Sequence, residues 1–233
     1  MQIRVYDDGA GQDCLFVLGW GNRCRHEPVQ WLVDRLAQRY RVHVAELPTH
    51  ITDVHREWVG PLREYAADLD SFPILAHSAG GLTAAHLDIE GVTNRVYLSP
   101  WWASDLSVPD AVLSVLRSLP ISKPLVPAGN LKQTYLGSLA TRQQVDDAPD
   151  AASPAFLQTV ERAQSTLPPA RENAVAFGSL TDRVVDPRAM GARLPADRIR
   201  LYDGGHELFS SESRERHVET VLDALEYGPD ALS

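Results

Sequence analysis

The stretch Phe72-Pro73-Ile74-Leu75-Ala76-His77-Ser78-Ala79-Gly80-Gly81-Leu82-Thr83-Ala84-Ala85-His86-Leu87 limits the possible folds more than any other part of the chain. An apolar run of the length of a buried strand ends at a serine set between small residues, and an Ala-rich helical pattern begins at once. The reading is strand, very tight turn, helix. Small residues on both sides suit a strained serine, because strand and helix backbones pass too close for larger side chains. The hydroxyl is then presented outward, and the first N–H groups of the helix converge where an oxyanion would form. The same residues also fit a plainer role, a serine N-cap after an ordinary parallel strand.

Composition narrows the class. With 233 residues, 44% hydrophobic and 23% charged, the chain can bury a full core as one α/β domain with room for an insertion. Met1 to Tyr6 runs straight into a strand-like pattern, so neither a signal peptide nor a membrane span is expected, and the default location is the cytoplasm. Cys14 and Cys24 have no framework or metal spacing and read as free thiols. A net charge of −9 with no Lys/Arg cluster argues against nucleic-acid binding. Arginine supplies nearly all the positive charge, lysine occurring only at Lys123 and Lys132, and Asp outnumbers Glu. That bias suits high salt and equally suits a bias in nucleotide composition.

From the N-terminus, Gln2 to Tyr6 and Cys14 to Leu18 read as a hairpin feeding a sheet. Gly9-Ala10-Gly11 precedes a strand instead of following one, so it is a turn and not a dinucleotide fingerprint. Gly19-Trp20-Gly21-Asn22 follows the second strand, and a helical pattern covers Pro28 to Tyr40. Arg41 to Glu46 is a strand, and Arg56 to Leu69 a helix broken near Gly60-Pro61. Arg95 to Ser99 is a further strand, closed by Pro100-Trp101-Trp102. Roughly seventy residues then pass before the next strand, far more than the usual ~4–6 residue connection, so they must hold structure of their own. Helices are expected at Asp110 to Leu119, Leu131 to Arg142 and Ala155 to Ser165, as a lid over the serine or as padding on one edge. Asn173 to Phe177 and Ile199 to Tyr202 are the last strands, and a helix from Glu212 to Tyr227 closes the chain. His206 sits on a loop behind Gly204 and Gly205, where glycines offer it no wall to pack on.

The residues Ala76-His77-Ser78-Ala79-Gly80 resemble the G-x-S-x-G nucleophile elbow of the α/β-hydrolases, with alanine for the first glycine. The resemblance extends along the chain. Gly19-Trp20-Gly21 resembles the family's H-G-x-G loop, which implies Trp20 as one oxyanion N–H donor and Ala79 as the other, although Leu18 stands where histidine is common. Pro48 and His50 fit a P-G-H-G-like turn while Thr49 and Ile51 depart from it, and His50 is given no chemistry. Asp182 occupies the acid position of a G-x-x-x-D-x-x-V-like loop, with Asp186 the rival, read as the cap of the following helix. His206 resembles the G-G-H base. His77 is expected to point away from the serine, and His86 and His217 lie on helical patterns.

The order Ser78, Asp182, His206 is that of this fold. The resemblance implies an α/β fold, a mostly parallel doubly wound sheet of about seven strands with helices on both faces. A core of residues 1–102 and 173–233 would carry a small helical cap, 103–172. Chemically it implies a carboxylesterase-like serine hydrolase acting on a small ester or related acyl compound, with Ser78 as nucleophile, His206 as base and Asp182 as acid. Gly19, Gly21, Trp101 and Trp102 would line the substrate pocket. No metal or cofactor is implied, and the partner is a small molecule; oligomeric state cannot be read. The same triad also serves amidases, C–C bond hydrolases and acyltransferases, and a non-catalytic binding protein would keep the pocket without the chemistry.

Overall fold

A computed structural model of the chain describes residues 1–7, 11–103, 121–127 and 132–232. The helix expected over Asp110 to Leu119 lies outside them. Seven strands form one sheet: β1 (Gln2–Tyr6), β2 (Asp13–Val17), β3 (Arg41–Glu46), β4 (Phe72–His77), β5 (Val92–Leu98), β8 (Ala174–Gly178) and β9 (Ile199–Leu201), in the order β1-β3-β2-β4-β5-β8-β9. Every pair is parallel except β1 with β3. Two short segments, β6 (Val126–Pro127) and β7 (Ala151–Ala152), pair separately.

The expected hairpin between the first two strands does not form, because β1 crosses over to pair with β3. Burial explains the choice. Cys14 to Val17 are buried on both faces and need a strand on each side, whereas β1 carries exposed residues along its length and suits an edge.

Alternate residues of the central strands enter two separate cores. Cys14, Phe16, Leu75, Val96 and Phe177 pack on one face with helices α1 (Glu27–Ala37) and α8 (Arg214–Tyr227). Leu15, Val17, Ile74, Ala76 and Ala176 pack on the other with α2 (Gly60–Ala66), α3 (Ala79–Ala85) and α6 (Pro154–Ser165). Before α2 a π-helical turn covers His55–Val59, with Gly60 N–H reaching back to His55 O; Pro61, having no N–H to give, sits where the ladder changes register.

Of the helix expected over Leu131 to Arg142 only α4 (Gln133–Leu136) is helical among the described residues, and a second short helix, α5 (Arg142–Asp147), begins at the last expected position. Gly137 ends the first, and a methyl there would lie 2.3 Å from Ser210 O. Thr141 and Gln144 then restart the chain with a reciprocal capping box. A short α7 (Arg188–Gly191) completes the α-helices among the described residues. None of these helices is long and apolar enough to cross a membrane.

Candidate active site

The strand order reverses between β2 and β4, and the crevice at their carboxyl ends is where an open α/β sheet holds a ligand. Residues 19–22 leave β2 there and Ser78 leaves β4. Ser78 has φ 51° and ψ −117°, a strained backbone for any residue but glycine. Its neighbours show why small residues surround it. A methyl on Gly80 would stand 2.2 Å from Val17 O, and one on Gly81 2.7 Å from the Pro100 ring. Ser99 at the end of β5 is also at positive φ, 41°, and the turn it makes brings Trp101 N–H onto Ser78 O at 3.0 Å.

β8 and β9 run parallel to β4 and bring their following loops to the same edge. There His206 Nδ1 meets Asp182 Oδ2 at 2.8 Å, with the two side chains 3% and 2% exposed. Asp182 Oδ1 also accepts the Val184 and Val185 N–H groups at 2.7 and 3.1 Å. Asp186 instead accepts Arg188 N–H at the start of α7. The His206 loop is fixed from outside: His206 N–H donates to Tyr135 O and Glu207 N–H to Leu136 O, each at 2.8 Å. Burial pushes the His206 imidazole down, but the Asp182 charge and hydrogen bond, helped by Glu207, outweigh it, and the net direction is up. For Asp182, burial pushes the carboxyl up, while His206 and the two backbone N–H groups bring it below the usual range.

Ser78 and His206 line one cavity of about 160 Å³. Trp20, Trp101, Leu136, Pro149, Val184 and Val185 make its apolar wall, and Asn22, His77, Gln144 and Glu207 supply the remaining polar groups. Trp20 is held by Nε1–H to Thr49 O, 2.9 Å, and its ring stacks on Phe156 at 4.7 Å. Gly21, at φ 89°, lines the cavity, and Gly19 leaves room for the Asn22 and His77 side chains, either of which a methyl would meet at 2.7 Å. Trp101 faces the cavity. Trp102 is buried beside it, against Tyr97 at 4.8 Å, with Nε1–H on Gly81 O.

His77, expected to turn away from the serine, lies in the cavity wall with its ring 4.8 Å from that of His206 and 5.0 Å from Phe209. Its Nδ1 is 3.1 Å from Asn22 Oδ1. Burial, with His206 beside it, holds this imidazole well below the ordinary range. Asn22 Nδ2 donates to Glu207 Oε1 at 2.8 Å and Gln144 Nε2 to Glu207 Oε2 at 2.5 Å. These groups had no signal in the sequence: they come from three distant segments and match no spacing. Both cysteines are free and buried; burial pushes the Cys14 thiol up, and burial with Glu46 beside it pushes the Cys24 thiol up to about 12, which suits neither to act as a nucleophile. Among the described residues no His, Cys, Asp and Glu group could hold a metal ion.

A model of the alpha/beta hydrolase family matches residues 14–222. Among solved structures, a monoacylglycerol lipase from Paleococcus ferrophilus is 18% identical and superposes with a TM-score of 0.74 over 97% of this chain and 98% of its own. A metagenome-derived lipolytic enzyme (16% identity, TM-score 0.69, 97% of each chain) and an esterase from Exiguobacterium antarcticum (16%, 0.65, 96% of this chain and 95% of its own) are also similar. At such identities the likeness shows the fold. No curated protein matches the sequence.

Proposed function

The chain belongs to the alpha/beta hydrolase family, and from that membership we propose that it is a serine hydrolase that cleaves a small ester or related acyl compound through an acyl-enzyme. The observation that most supports this reading is the His206–Asp182 hydrogen bond of 2.8 Å on a cavity that His206 shares with the strained Ser78. With Nδ1 engaged by Asp182, His206 keeps Nε2 to take the Ser78 proton as Oγ attacks the acyl carbon. The N–H groups of Trp20 and Ala79 hold the developing oxyanion; Ala79 N–H opens helix α3 and has no intrahelical acceptor. His206 returns the proton to the departing alcohol. Water, deprotonated by the same imidazole, then attacks the acyl-enzyme; as the acyl–Oγ bond breaks, His206 returns that proton to Ser78 Oγ and the acid is released. Asp182 orients the ring and stabilises the imidazolium throughout.

Residues 103–172 act in this reading as a cap. Leu136, Gln144, Ala148 and Pro149 from this segment line the cavity with Ser78, and Phe156 backs Trp20. The lipase and esterase activities named for the similar structures support a small-molecule acyl substrate. A panel of matched esters, thioesters and amides tests the proposal: turnover is expected of at least one class, greatest for esters, and lost in Ser78→Ala. Turnover retained in Ser78→Ala overturns the mechanism, and a preference for amides or thioesters corrects the bond.

A further inference from the structure

Glu207 is a buried carboxylate that takes no proton and forms no bond in the acyl-transfer steps, although its charge helps push the His206 imidazole up. It is 1% exposed and lines the cavity. Its partners are neutral: Asn22 Nδ2–H on Oε1, and Gln144 Nε2–H and the Ser210 hydroxyl on Oε2. The orientation of Gln144 is independently fixed, because its Oε1 accepts Thr141 N–H at 2.8 Å, so its amide nitrogen must face the carboxylate. Three donors around one carboxyl match the ionised form, which only accepts. An ionised carboxylate offers about four acceptor positions; three are filled, and the open one is on Oε1. Among the described residues no lysine or arginine lies within salt-bridge distance of it.

Hydrogen bonds from neutral donors offset part of the cost of burying the charge, and a cationic donor at the open position would offset more of it. Apart from the His206 imidazolium, which Glu207 also favours, a cation reaches Glu207 through the cavity that it lines. We propose that Glu207 anchors a protonated amine of the substrate, so that the enzyme prefers acyl compounds bearing an ammonium group to their uncharged isosteres. This rests on the acyl-transfer reading above. The net charge of −9 favours the approach of such a cation.

Two isosteric pairs test it at neutral pH, where the tertiary amines are protonated. The amine lies on the alcohol side in 2-(dimethylamino)ethyl acetate against 3-methylbutyl acetate, and on the acyl side in ethyl 4-(dimethylamino)butanoate against ethyl 5-methylhexanoate. In one pair the amine should have the higher kcat/KM by roughly ten- to hundredfold, the effect of one hydrogen bond to a charged group, and Glu207→Gln should bring that ratio to about one. A wild-type ratio near one in both pairs overturns the proposal, whether or not the variant folds. So does a Glu207→Gln protein that loses both members of a pair equally, since the carboxylate would then only tie the loops together. If the wild-type protein turns over nothing, calorimetric titration of the same pairs into Ser78→Ala separates the two ideas. Selective binding of the amine upholds the anchor while the hydrolase reading fails, and equal or absent binding overturns the anchor.

Discussion

Replacing Gly80 by alanine tests how closely α3 must approach the sheet for Ser78 to be held in place. The new methyl would stand 2.2 Å from Val17 O and 2.8 Å from Leu18 O, whereas carbon-to-oxygen contacts settle near ~3.3 Å. Both obstacles are backbone, on a strand paired on either side with β3 and β4, so α3 rather than β2 must recede, by about 1 Å. Overpacking of this kind costs about 1–3 kcal/mol, and the upper figure applies where no side chain can swing away. For a domain of this size 3 kcal/mol lowers Tm by roughly 6–12 °C. A displacement of about 1 Å at the nucleophile costs near 10²-fold in rate, so activity should fall before the fold is lost. Thermal melts and ester kinetics on Gly80→Ala read both, with Gly191→Ala as control: nothing lies within 4 Å of a methyl there, and α7 should gain up to about 1 kcal/mol. A Gly80→Ala protein that melts and turns over like wild type would refute the elbow geometry.

The pH profile of kcat/KM should rise with pH through one ionisation lying above the ordinary histidine value of about 6.5, because His206 must be neutral to accept the proton and Asp182 stabilises its charged form; a flat profile with chemistry limiting the rate counts against His206 as base. Asp182→Asn should cost about 10⁴-fold in kcat, while Asp186→Asn, removing only the bond to Arg188 N–H, should leave kcat within a fewfold; the reverse order in steady-state kinetics would reassign the acid. Ala76, buried in the same core as Ala79 and Leu82, tolerates Ala76→Gly with activity within roughly tenfold, whereas Ala76→Leu overpacks the turn by about 1–3 kcal/mol and loses activity first. A leucine variant as active and stable as wild type returns Ser78 to a helix cap.

Where the chain puts apolar runs beside glycine, its structure was readable from sequence. The strand into Ser78, the loop 19–22 and the glycines before His206 are local patterns, and local patterns carry their own geometry. The hairpin expectation failed because two adjacent strand patterns do not state their partner, and only the two-sided burial of Cys14 to Val17 decides that β1 goes to the edge. One continuous pattern over Leu131 to Arg142 hid a break, since the clash at Gly137 comes from Ser210, more than seventy positions away. The place of His77 also depends on distant residues: the room it occupies is made by Gly19 and closed by Phe209. Asn22, Gln144 and Glu207 meet only in three dimensions, and each alone reads as an ordinary polar residue.

Covalent labelling bears most directly on the triad. A serine-directed fluorophosphonate, followed by intact mass and peptide mapping, should add a single adduct on Ser78 in the wild type, none in Ser78→Ala, and one formed orders of magnitude more slowly in His206→Ala. An unlabelled wild-type protein, or an adduct mapped to any residue other than Ser78, would contradict the assignment of Ser78 as nucleophile.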